Sequence, residues 1–206
     1  MEKETQNQEC CPEFHPEKWD RKTHVWEGRK FVKDSLPTLF HIPFPPTIGR
    51  KITRMWKSIE SSGSAEPDKT GTLVLFHDPS AFRSDILISV EKEVPGENNV
   101  AISGNFVSRT FDGDYNAIPK FIRLMDKYLA ESGKKAKDYF VHYAYCPGCA
   151  KKFGHNYMIL FAEEQNNKNP GSEYIPVRPA DFPDAHKSRN STLLSECCFN
   201  FTPLKQ

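Results

Sequence analysis

The sequence predicts an α+β fold in which two β-α-β-β units share one antiparallel-rich sheet, with both helices on one face. Three observations lead there. Sliding the 206-residue chain along itself by 70 positions lays Ile48–Gly63 over Ile118–Gly133 without a gap. Ile48/Ile118, Ile52/Ile122, Met55/Met125, Lys57/Lys127, Ser62/Ser132 and Gly63/Gly133 are then identical pairs. Both stretches repeat apolar residues at helical spacing. Each is followed by two short apolar, β-branched runs and preceded by an extended one. A doubled unit also creates a groove along its pseudo-twofold seam, a favoured place for ligands.

The elements follow in order. Residues 1–28 mix prolines with aromatics and read as an arm packed on the body, its first nine residues polar. Phe31 to Ile42 reads as extended until the prolines at 43, 45 and 46 stop it. A helix runs from Thr47, a candidate N-cap, to Gly63, a natural position after a helix end. Thr72–Phe76 and Asp85–Val90 read as strands, and His77–Arg83 as the loop between them. The second unit opens with Val100–Phe111. Asp114 can cap a helix running to Ser132, whose apolar face is Ile118, Phe121, Ile122, Met125, Tyr128 and Leu129. Tyr139–Tyr145 and Tyr157–Ala162 are its last strands, flanking the loop Cys146–His155. The domain thus spans residues 29–164, in repeats 29–94 and 99–164. Residues 165–206, rich in Asn, Pro, Ser and charge, read as a tail with little fixed structure.

Composition narrows the function. Lys+Arg 28 against Asp+Glu 27 gives no electrostatic reason to expect nucleic acid or an anionic membrane as partner. No apolar run approaches the ~18 residues of a membrane span, and the polar start is no signal peptide. A cytoplasmic, reducing location is the expectation. There the six cysteines are metal ligands, reactive thiols or ordinary buried residues sooner than disulfides.

The element order, with Val100–Tyr115 and its Gly-aromatic turn Phe111-Asp-Gly-Asp-Tyr115, resembles the gyrase-inhibitor-like (GyrI-like) small-molecule-binding domain over residues 28–163. That superfamily is similar in fold to the SOUL haem-binding proteins. The resemblance implies binding of amphipathic or cationic aromatic molecules in the pseudo-twofold groove; some stand-alone members resemble hydrolases. The first 28 residues leave no room for the helix-turn-helix fused to other members. Family members commonly carry a Glu in the penultimate strand to meet a cation or serve in hydrolysis. Tyr139–Tyr145 here has no carboxylate, leaving His142 and Tyr143 as its polar candidates for acid–base chemistry. Trp56, Tyr115, Tyr143, Tyr145 and Tyr157 are the candidate ligand-binding aromatics, although each also suits a packed core. Trp19 and Trp26 either form a lid over the groove or anchor the arm.

Cys146-Pro-Gly-Cys149 has the form of a zinc knuckle, two thiolates converging on one tetrahedral ion. Cys10-Cys11 and Cys197-Cys198 are the candidates for further ligands; adjacent side chains diverge, so one cysteine of a pair would bind, with His15 or His155 able to complete four ligands. The N-terminal pair is the one favoured by resemblance to related chains. Placement between two strands argues against a thioredoxin-type dithiol, whose CxxC opens a helix. Three functions stay open: a small-molecule-binding protein with a zinc knuckle, a hydrolase of reactive small molecules, and a thiol-based redox or metal-responsive protein.

Overall fold

The computed structural model describes residues 11–43 and 45–165. Cys10, Cys197, Cys198 and the tail lie outside the described residues. The element order is β1 (Lys22–Leu39), β2 (Ile42–Pro43), α1 (Pro45–Ser61), β3 (Val74–Ser80), β4 (Arg83–Ser89), β5 (Asn99–Asp112), α2 (Ile118–Glu131), β6 (Ala136–Tyr143), α3 (Pro147–Phe153) and β7 (Tyr157–Glu164). Six long strands pair antiparallel in the order β1-β4-β3-β6-β7-β5, and β5 pairs back onto β1, so the sheet closes into a barrel. The two-residue β2 only extends the end of β1.

Closure corrects the expectation of an open sheet face. The chain from Lys22 to Lys30 is strand rather than irregular arm, because alternate residues His24 and Trp26 point inward. Gly28 (φ +66°) sits in the bulge between Trp26 and Arg29 that keeps the pairing to β5 going. Phe31 then pairs with Ser89 on β4 and with Val100 on β5. Trp26 is 6% exposed and stacks on Phe106 at 4.1 Å. With Phe31, Leu75, Leu87, Phe140 and Phe161 it fills the barrel, so the face expected to hold ligand is itself core.

The helices cover the outside. α1 buries Ile52, Met55 and Ile59 against Val32, Leu36, Ile86 and Ile88. α2 buries Phe121, Met125 and Leu129 against Val107, Met158 and Leu160. Helical spacing predicted both faces, and Gly63 and Gly133 end the helices in the left-handed conformation (φ +61° and +67°). α1 begins two residues ahead of Thr47; Asp114 precedes a 3-10 turn, Tyr115–Ala117, rather than α2 itself. β3 runs on through Ser80, so most of the expected His77–Arg83 loop is strand, held by the pairing of His77 with Asp85. Among the described residues no helix is long and apolar enough to cross a membrane.

Candidate functional site

β3 and β6 meet through only two residue pairs, Leu75 with His142 and Phe76 with Val141. On the outer face this join lies between the cluster under α1 and the separate cluster under α2. Val74, Phe76, Tyr139, Val141 and Tyr143 line it, and each is only half-buried, whereas the strand residues directly beneath either helix are fully buried. The Tyr143 ring meets Phe76 edge-on at 5.2 Å and Tyr115 edge-on at 5.2 Å. Trp56 packs on the same α1 cluster as Val74 and Phe76. The join is thus a seam floored by aromatic faces.

Carboxylates flank it. The Tyr139 hydroxyl donates to Asp126 on α2. Asp78 on β3, 38% exposed, lies 3.3 Å from His41 Nδ1. Burial, then the charge of Asp78, pushes the Tyr143 hydroxyl well above the usual phenol range, so it stays protonated and can donate a hydrogen bond. Sequence reasoning missed Asp78 as a seam residue. It read Asp78 as loop and looked for the carboxylate on β6, but the flanking acids come from β3 and α2. The nearest β6 carboxylate, Asp138, faces inward and binds His77 Nε2 at 2.7 Å.

Of the sequence-predicted ligand residues, Trp56 packs on the α1 cluster, and Tyr115 and Tyr143 meet at the seam. Tyr145 and Tyr157 do not. Tyr145 accepts a hydrogen bond from the Phe14 backbone at 3.0 Å and stacks on Phe153 at 4.8 Å; Tyr157 stacks on His155 at 4.8 Å. His142 and Tyr143 occupy opposite faces of β6, so they do not meet at one substrate atom. The His142 Nδ1 accepts the Val74 N–H at 3.0 Å, and burial pushes its imidazole down to about 4.

That depression makes the fold acid-sensitive. The unfolded imidazole protonates near pH 6.5 and the folded one only near pH 4, so stability is lost as pH falls through that window. We expect about 3 kcal/mol of pH-dependent loss from this group. His142→Asn, which keeps an acceptor for Val74, should flatten the melting temperature between pH 6.5 and 4; an unchanged pH profile would refute the assignment.

Beside the seam, Tyr115 also lines an open hollow of about 480 Å³ with Asp112, Lys151, His155 and Asn156. His155 Nδ1 sits 2.7 Å from Asp112 there.

Cys11, Cys146 and Cys149 form the second candidate site. Their sulfur atoms all lie within 4.8 Å of one another, and the group is buried. The Cys146 N–H donates to Cys11 Sγ at 3.3 Å and the Cys149 N–H to Cys146 Sγ at 3.5 Å. Amide bonds to sulfur stabilise thiolates, and three thiolates are a soft donor set able to hold a metal ion. His15 and His155 are not in this group. One expectation is overturned: Cys146 caps the seven-residue helix α3, so this CxxC does open a helix. What separates it from a simple dithiol is the third thiol, brought in by the arm.

In fold, the chain is similar to an uncharacterized conserved protein from Listeria innocua, with a TM-score of 0.53 and 10% identity over 71% of this chain and 92% of that one. It is similarly close to a hydrolase from Listeria innocua, with a TM-score of 0.51, 10% identity and the same coverage. No curated protein matches the chain. Residues 1–164 match the model of the bacterial hydrolase family, and the chain belongs to that family.

Proposed function

We propose that this is a cytoplasmic small-molecule-binding hydrolase of GyrI-like fold, holding an apolar aromatic or aromatic cationic ligand on the seam between α1 and α2. The aromatic floor of half-buried Phe76 and Tyr143 with exposed Tyr115 carries the reading: flat π faces bind aromatic and cationic groups, and Asp78 and Asp126 add negative charge at the rim. The order β1-α1-β3-β4 followed by β5-α2-β6-β7 supports descent from a doubled unit, with the seam at its twofold. Family membership supports turnover of the bound molecule, with the protonated Tyr143 as donor to the leaving group. His142, turned inward, would act only by holding β6 to β3. We assign the thiol group to zinc held by Cys11, Cys146 and Cys149, three soft donors that clamp the arm to α3. A redox dithiol is the second reading, favoured by Cys146 at a helix start; about one zinc per chain in protein purified without added metal would exclude it.

Rhodamine 6G, a flat aromatic cation, tests the seam. Fluorescence titration should give saturable binding that weakens about tenfold in Tyr143→Ala, the loss expected for one aromatic–cation contact. A neutral dye of similar size should bind less tightly. Equal affinity in wild type and Tyr143→Ala would remove the seam as the binding site.

A further inference from the structure

The end of the barrel under the arm holds a pair of groups that the seam does not use. We propose that Ser108 and His24 are a nucleophilic pair for activated carboxylic esters, held at rest by the arm, residues 11–21. They lie on the paired strands β5 and β1, Lys22 opposite Ser108 and His24 opposite Phe106, and both face inward. His24 Nε2 is 2.7 Å from Ser108 Oγ, and Ser108 is fully buried. This gives the hydrolase family membership a serine–histidine pair that does not use the seam, under the same arm that Cys11 ties to the thiol group.

The arm fixes the polarity of the pair. The Ser108 hydroxyl donates its one proton to the Trp19 carbonyl at 2.6 Å. The bond to His24 must therefore run the other way, from an Nε2–H into Ser108 Oγ, the tautomer that cannot act as base. Trp19 covers the pair, its ring 5.8 Å from His24 and 5.9 Å from Phe161. Asp20 Oδ1 pins it by accepting the Thr110 N–H at 3.1 Å. Moving the arm removes the Trp19 carbonyl. His24 then exchanges its proton to Nδ1 through solvent, and Ser108 donates to the vacated Nε2. Burial, then the charge of Arg29, lowers the His24 pKa and keeps the imidazole unprotonated for this role.

The step balances without a cofactor. Ser108 Oγ bonds to the ester carbonyl carbon as its proton passes to His24 Nε2. The carbon–oxygen bond to the leaving group breaks, and that group departs with the proton from His24. Water, deprotonated in turn by His24, cleaves the acyl-serine, releasing the carboxylic acid and restoring the hydroxyl.

A fluorophosphonate reports the first half: Ser108 Oγ forms a P–O bond, P–F breaks, and fluoride leaves with the proton. Intact-mass spectrometry would follow adduct formation in the full chain. Asp20→Ala, which unpins the arm, should label about tenfold faster than wild type, as losing the Thr110 hydrogen bond and the Arg109 ion pair opens it more often. Adding Ser108→Ala should abolish labelling, and adding His24→Gln should slow it about a hundredfold. Trp19→Ala/Asp20→Ala, which also loses the ring contact, guards against an arm that stays shut. Labelling no faster than the Ser108→Ala background in both unpinned variants, or an adduct mapped to another residue, would overturn the proposal.

Discussion

Cys149→Ser should abolish metal binding and lower the melting temperature by about 10 °C, the shift that ~3 kcal/mol produces in a domain of this size. The thiol is 6% exposed and shares its group with Cys146, the cap of α3, and with Cys11 at the start of the arm. A metal there ties residue 11 to residue 149 across most of the chain, so losing it frees the arm as well as the α3 loop. Stability gained from a bound metal is folding free energy, so removal by chelation should act like the mutation. Elemental analysis and melting curves with and without chelator check this. A chelator should bring the wild type down to the variant and leave the variant unmoved. Metal-free wild type with a chelator-insensitive melt would contradict the site.

Asp85→Ala should cost about 2–3 kcal/mol, the loss of the charge-assisted hydrogen bonds that a buried carboxylate accepts. The Asp85 side chain is 1% exposed at the opposite end of the barrel from the arm. Lys33 Nζ lies 2.8 Å away, Ser35 Oγ donates at 2.6 Å and Arg83 Nε is at 3.2 Å. Burial works against the charge, but the bonds from Lys33 and Ser35 outweigh it and hold the carboxyl below the usual carboxylate range. Its stabilisation is therefore complete above the unfolded value near pH 4 and is lost as pH falls through the lower folded value. Denaturant melts at pH 7 and pH 3 should show the gap between wild type and Asp85→Ala narrowing at the acid end. A gap independent of pH would mean that the loss is packing rather than charge.

The parts of the fold legible in the sequence are those written in local pattern. Ile52, Met55 and Ile59, and Phe121, Met125 and Leu129, announce their helices by spacing alone, and Gly63 and Gly133 mark the ends. Barrel closure was not legible, because it depends on how far β1 reaches. Charges and Gly28 interrupt the alternation of residues 22–30, and only pairing with β5 turns that stretch into strand. The short helix α3 was missed because Pro-Gly directly after Cys146 reads as a turn, although proline is well suited to a first helical turn. At the seam, Tyr143 and Tyr115 were legible as candidate aromatics, but nothing in the sequence separated them from ordinary core. Asp78 was not: His77-Asp-Pro-Ser has the composition of a loop, and only the pairing of His77 and Ser80 with β4 makes it strand. Ser108 gave no signal, since a serine in an alternating strand is ordinary until His24 and the Trp19 carbonyl are placed against it.

A crystal structure grown with rhodamine 6G tests the seam most directly. The dye should lie over Tyr143, between α1 and α2, with its charged end toward Asp78 or Asp126. Dye found instead in the hollow beside His155, or at the arm-covered end of the barrel with the seam empty, would contradict that placement.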